Sequence, residues 1–126
     1  MILVVTLDED LTVARELRGL GMEVMVTGLV RDPAPRHEAL AAGLRESLFD
    51  LSGPSLSISD WTDFVGGFYT LAARASAVVL SGVQPEEMPE DAFAQLIRTT
   101  EKPVVVAANV AEAVTGLEEL DAHADR

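Results

Sequence analysis

Asp8, Glu9 and Asp10 stand together in "LVVTLDED", where an apolar β-rich run turns into a helical pattern. Three carboxylates at such a junction could hold Mg²⁺, because hard cations take oxygen ligands. They could equally cap a helix start and meet the positive end of its dipole, and capping is the expected role. A phosphate cradle needs bare backbone N–H groups and small residues. This turn has neither glycine nor base, so the phosphate of a nucleotide or flavin is not expected there. No cofactor and no metal are expected; Asp8 and Asp10 are the candidates should a metal bind.

Other chemistry-bearing residues fall at similar junctions. "RDPAPRH" gathers Arg31, Arg36 and His37, a basic cluster that could grip an anion or pair with neighbouring acids. "SISDWTDF" offers Ser59, Asp60, Trp61 and Thr62; Asp60 reads as the N-cap of the helix that follows. Ser81 ends an apolar run but lies outside any G-x-S-x-G elbow, which excludes a hydrolase nucleophile of that type. Asn109 follows another buried run and is placed to cap the last helix. Glu86, Glu87, Glu90 and Asp91 form a charged block of the kind that usually faces solvent. No pair in the chain has diagnostic catalytic spacing, so the expectation leans away from an enzyme.

The elements that must position these residues alternate. Apolar runs at 2–6, 22–27, 76–81 and 103–108 read as strands, and "SLSIS" at 55–59 as a shorter one with polar edges. Helical stripes separate them. One runs from Asp10 to Leu20, stopped by Gly19 and Gly21; the next, at 36–50, carries Leu40, Leu44 and Leu48. Another runs from Trp61 to Arg74, with Gly66 and Gly67 explained by close packing on the sheet. Phe93, Leu96 and Ile97 mark a fourth, and Val110, Ala113, Val114, Leu117 and Leu120 a fifth. "LSGPS" reads as punctuation. Strands apolar on both faces imply a parallel sheet covered on both sides. The expected fold is therefore a single α/β domain over residues 1–126, a flavodoxin-like three-layer sandwich of five mostly parallel strands. In such sheets ligands sit beyond the strand carboxyl ends, near the reversal of strand order. That rule makes Thr6, Asp8, Arg31, Arg36, Ser59, Asp60, Thr62, Ser81 and Asn109 the candidate ligand-binding residues. It also brings the Asp8–Asp10 turn near Glu86 and Glu87.

Composition narrows the classes. The chain has 126 residues, 48% of them hydrophobic, and no cysteine, which fits one folded domain and excludes disulfides and thiolate chemistry. A net charge of −12 repels nucleic-acid backbone and anionic membrane. No apolar run approaches the ~20 residues of a membrane span, and the start has no basic leader. A cytoplasmic protein is expected.

Two resemblances bear on function. "ILVVTLDEDLTVARELRGLGMEV", "AVVLSGVQPEEMPEDAF" and "KPVVVAAN" resemble the opening, phosphorylation strand and following strand of a response-regulator receiver domain. Thr6 and Leu7 stand where that family's metal-binding acids would be, Ser81 where its phosphoryl-accepting aspartate would be, and Ala108 at its switch hydroxyl. The resemblance thus implies a pseudo-receiver that cannot be phosphorylated. "LGMEVMVTGLV" and "LSISDWTDFVGGFYTLA" are similar, more distantly, to pieces of one lobe of uroporphyrinogen-III synthase, with Ser59 and Asp60 in its cleft-lining segment. The expected function is a non-catalytic regulatory or protein-interaction domain with a protein partner or self-association. The alternative is a domain binding a metal or a small molecule, an anion included, at the strand-end edge, by itself or as one lobe of an enzyme.

Overall fold

A computed structural model describes residues 1–124 except Ser52 and Pro54, so those two members of the "LSGPS" punctuation lie outside the described residues. The elements in chain order are β1 (Ile2–Thr6), α1 (Thr12–Gly19), β2 (Val24–Val30), α2 (Ala34–Ala41), β3 (Arg45–Asp50), α3 (Ile58–Ala72), β4 (Ala77–Ser81), α4 (Ala92–Thr99), β5 (Val104–Ala107) and α5 (Val110–Ala124). All five strands are parallel, in the order β3-β2-β1-β4-β5. The chain steps outward from β1 to β3, crosses back through α3 to β4, and steps outward again to β5. The reversal lies between β1 and β4, the arrangement of a doubly wound sheet in its 3-2-1-4-5 form.

Alternation along the strands divides the core in two. Leu3, Val5, Val78 and Leu80 face Phe64, Phe68 and Leu96 of α3 and α4. Val4, Val26, Val79 and Ala107 face Leu17, Ala39, Ala113 and Leu117 of α1, α2 and α5. Each face of the sheet is thus sealed by helices, and the middle strands read as unbroken apolar runs for that reason. Three hydroxyls are buried in this sheet, Thr6, Thr27 and Ser81. Each donates locally: to Asp8 Oδ1, to the Ser47 carbonyl and to the Val5 carbonyl, at 2.9, 2.7 and 3.0 Å. Among the described residues no helix is long and apolar enough to cross a membrane.

The third strand is not the one that the sequence pattern suggests. It lies at Arg45–Asp50, inside the expected 36–50 helix, while α3 already begins at Ile58 within the expected 55–59 strand. Gly43 causes the difference. Its φ is +70°, and it closes α2 with two bonds, Leu44 N–H to Ala39 C=O and Gly43 N–H to Leu40 C=O, at 2.8 and 3.1 Å. That is a Schellman stop. Leu44 and Leu48 are buried from beyond that stop and from a strand, so their helical spacing with Leu40 is coincidental, and Leu40 itself is 79% exposed. Gly21 ends α1 by the same pair of bonds, to Arg18 and Leu17.

Two further expectations change. Ser57, not Asp60, is the N-cap of α3: its hydroxyl accepts the Asp60 N–H at 3.0 Å. Gly66 and Gly67 are not sites of close packing, because a Cβ at either would meet nothing within 4 Å. A glycine that does permit close approach is Gly28 in β2, where a Cβ would lie 2.0 Å from the Thr6 carbonyl oxygen.

These glycines make opposite predictions. Gly28→Ala forces β1 and β2 apart and should cost about 1–3 kcal/mol, as overpacking does. Gly66→Ala gains helix propensity without a clash and should stabilise by ~1 kcal/mol. Urea unfolding of both variants checks the pair; a tolerated Gly28→Ala would contradict the strand spacing described.

Candidate functional site

The strand carboxyl ends converge on Asp8. This residue follows β1 and is half-buried beside the end of β4. Its Oδ1 accepts the Thr6 hydroxyl at 2.9 Å and the Asp10 N–H at 3.2 Å. Its Oδ2 accepts the Val83 N–H at 3.0 Å, from the loop after β4. Gly82 makes that contact possible: its φ is +79°, and a Cβ there would lie 2.5 Å from Asp8 Oδ2. Thr6 and Ser81 are register partners across the same gap. One carboxylate therefore stitches together the two strands between which the order reverses, and does so with donors of the fold itself.

The other two acids of the turn have separate tasks. Asp10 Oδ1 accepts both the N–H and the hydroxyl of Thr12, at 2.9 and 2.6 Å, and so satisfies the first N–H of α1 from the residue before its N-cap, Leu11. These bonds, with Arg15 nearby, hold its carboxyl below the ordinary value of 3.8. Glu9 adopts a left-handed φ of 63°, uncommon for a residue with a side chain. The turn directs its carboxylate to the Arg31 N–H, 2.5 Å away.

Two clefts flank the Asp8 bridge. The larger, of ≈ 350 Å³, opens on the α3–α4 side between Leu7, Glu9, Arg31, Leu51, Glu87 and Met88. The expected proximity of the first turn to Glu87 is present here, with Arg31 between them. Arg31 pairs with Glu87 and donates to the Gly53 carbonyl at 2.8 Å. The acidic loop 82–91 is itself anchored. Gln84 donates to the carbonyls of Pro89 and Glu90 at 2.9 and 3.0 Å, and Met88 is buried in the core. The smaller cleft, of ≈ 160 Å³, lies on the α1–α5 side among Asp10, Thr12, Glu16, Gly82, Ala108 and Asn109.

The remaining candidates are distributed otherwise. Asn109 caps α5, accepting the Glu112 N–H at 3.0 Å, while Glu112 reaches back to the Ala108 N–H at 3.3 Å. Arg36 does not join Arg31 on a shared group. It clamps α2 to β3 through Asp50 at 2.7 Å and the Leu48 carbonyl. Ser59 and Thr62 are exposed on the first turns of α3 and line neither cleft. Trp61 is a packing residue whose Nε1 donates to Gln95 on α4 at 2.7 Å. Gly82 is a participant that residue type did not flag, although a glycine directly after a buried strand was an available signal. Glu9 was flagged as an acid, but its left-handed turn and its bond to the Arg31 N–H have no signal in sequence.

No family model matches the chain, and no curated protein matches it either. Among solved structures it is similar to a possible 1-phosphofructokinase of Thermotoga maritima, with a TM-score of 0.74 and 16% identity over 84% of this chain and 53% of that one. At that identity the likeness concerns the fold. The chain spans about half the length of that neighbour.

Three outcomes follow from the carboxylates. Asp8→Ala strands the Asp10 and Val83 N–H groups and should cost about 1–2 kcal/mol. Because the Asp8 oxygens are already engaged, Mg²⁺ should stabilise no more than NaCl of equal ionic strength, which acts by screening the net charge. A saturable Mg²⁺ increment in melting temperature, lost in Asp8→Asn, would overturn this. For Asp10 the folded pKa is depressed, so its charge stabilises the fold above the ordinary value of 3.8 and loses that effect as pH falls through the lower folded value. Asp10→Asn keeps a capping oxygen but no charge. It should melt below the wild type at neutral pH by the equivalent of ~0.3–1 kcal/mol at low salt, and the two should converge in acid.

Proposed function

We propose that this chain is a non-catalytic regulatory or protein-interaction α/β domain. The observation that carries the reading is the use of the Asp8 carboxylate, at the point where a doubly wound sheet ordinarily receives its ligand, to bridge β1 and β4 through the Thr6, Asp10 and Val83 donors. Ser81 and Asn109 are engaged in the same inward way, with the Val5 carbonyl and the Glu112 N–H. General acid–base or nucleophilic work needs a group aimed at a substrate and a partner to activate it. Here Asp8, Ser81 and Asn109 each bond to a backbone group of the fold. Ser81 in the position of a receiver's phosphoryl acceptor fits a domain that works by contact and not by phosphoryl transfer.

One observation favours a second reading. The ≈ 350 Å³ cleft contains Arg31, which could exchange Glu87 for an anionic ligand. Given the neighbour named as a possible 1-phosphofructokinase, a phosphorylated fructose is the ligand to try. The chain would then be a binding domain or one lobe of a larger enzyme.

A thermal-shift series separates the two. Fructose 1-phosphate, ATP with Mg²⁺ and acetyl phosphate are each titrated, and the protein is weighed by mass spectrometry after acetyl phosphate. The expected result is no saturable shift and no added phosphoryl mass. A ligand at 100 times its dissociation constant stabilises by about 2.7 kcal/mol, worth several degrees. A shift of that size with fructose 1-phosphate, abolished by Arg31→Ala, would replace the first reading with the second.

A further inference from the structure

The two edges of the sheet differ. β3, at one end, bears Arg45, Glu46 and Asp50, and Arg36 lies across it with ion pairs to Glu46 and Asp50 at 3.7 and 2.7 Å. Charges of this kind are how natural sheets discourage pairing at an open edge. β5, at the other end, is "VVVA". Among the described residues it pairs with β4 alone. The carbonyls of Pro103 and Ala107 accept from Val78 and Gly82, so in the alternating ladder Val104 and Val106 turn their N–H and C=O groups outward. Val106 is 55% exposed.

A groove of ≈ 600 Å³ runs along this edge between β5 and α5. Gly116 sets its shape. A Cβ at that position would lie 2.4 Å from Val105 Cγ1, so the helix sits tight on one face of β5 and leaves the edge uncovered. Glu112 and Glu119 lie along the groove beside the valines, and among the described residues no basic one lines it. In the six-stranded form of this fold the position beyond β5 belongs to a sixth strand.

We propose that the β5 edge receives one extended segment of a partner protein as an added strand, an apolar segment flanked by lysine or arginine. The inference rests on the interaction-domain reading and gives it a surface and a partner chemistry. Outward N–H and C=O groups supply the main-chain ladder of strand addition, and the valines supply apolar contact for alternate side chains. Charge selects the occupant. A second copy would bring its own Glu112 and Glu119 and a second net charge of −12 to the contact, and like charges across an interface are costly. A basic-flanked strand meets the same glutamates favourably.

The test uses two synthetic peptides of about eight residues, alternating valine and threonine, one flanked by lysines and the other by glutamates. Amide shifts in the intact protein are followed by NMR at low salt. The lysine peptide is expected to bind about tenfold tighter, with its largest shifts at Val104, Val106 and their β4 partners. Val106→Pro removes an outward N–H and leaves the β4 ladder intact, so it should abolish binding with an unchanged circular dichroism spectrum. Should that variant fail to fold, Val106→Lys installs an edge charge and should repel the same peptide. Glu119→Lys should erase the preference between peptides. Equal binding of both peptides, shifts centred away from β5, or a dimer in light scattering that Val106→Pro dissociates would each overturn the proposal. The dimer would assign the edge to a second copy. These outcomes leave the fructose 1-phosphate titration independent, so the broader reading and the edge assignment can fail separately.

Discussion

The Asp8 carboxylate spans the place where a doubly wound sheet opens a crevice. At the reversal of strand order, β1 and β4 are neighbours, but the helices that follow them leave toward opposite faces. A crevice results, and in many folds of this class the crevice is the binding site. Here one side chain spans it, with an oxygen on each bank. The constraint spreads outward. Only a glycine fits at position 82 against that carboxylate. With Asp8 turned inward, Glu9 takes the left-handed conformation that aims it at the Arg31 backbone. Arg31 in turn fixes the loop ends of Gly53 and Glu87. A non-glycine residue at positive φ is held only where its surroundings over-determine it, and this connected set of bonds does so.

The same constraint decides what the carboxyl-end edge can offer. The polar groups of that edge bond to one another and to the backbone. Thr6, Asp8, Ser81 and Asn109 each have a partner already, supplied by the chain within or between the edge loops. Exposed ion pairs such as Arg31–Glu87 are worth little individually; they set loop positions more than they add stability. The β5 flank of the sheet, by contrast, keeps outward-facing backbone groups and the half-exposed Val106.

How much of this could be read in the sequence varies with the kind of information involved. Strands apolar on both faces declare themselves; β1, β2 and β4 were legible because helices seal both their faces, and β5 because its run of valines is unbroken. β3 was not. An edge strand with charges at Arg45, Glu46 and Asp50 has no continuous apolar run, and Leu40, Leu44 and Leu48 happened to fall at helical spacing. Gly43 carried the correcting signal, since a glycine between two apolar stripes is where a Schellman stop would sit. Capping chemistry was legible in type more than in position: Asn109 caps α5, yet Ser57 took the role that Asp60's charge suggested. Of the site, the convergence of Thr6, Asp8 and Ser81 on one edge followed from topology alone. The bridge from Asp8 to Val83 did not, because it joins residues 75 positions apart through a backbone N–H, which no residue type reveals.

Charge and topology together explain why the two flanks of the sheet should be treated differently by evolution or by design. A strongly acidic domain already resists collapse onto copies of itself, so an unguarded edge carries less risk of self-pairing than it would on a neutral protein. Four residues of strand are also too short to template a long ladder. The β3 edge, with both signs of charge bound up in the Arg36 clamp, presents no net sign to repel a stray strand and relies on its local charges instead. The β5 edge can remain apolar because the acids around it, Glu112 and Glu119 among them, supply the discrimination from outside the strand. Specificity at such an edge comes from the repulsive element as much as from the attractive one. In this molecule the repulsive element is the acidic surface that composition alone had made visible.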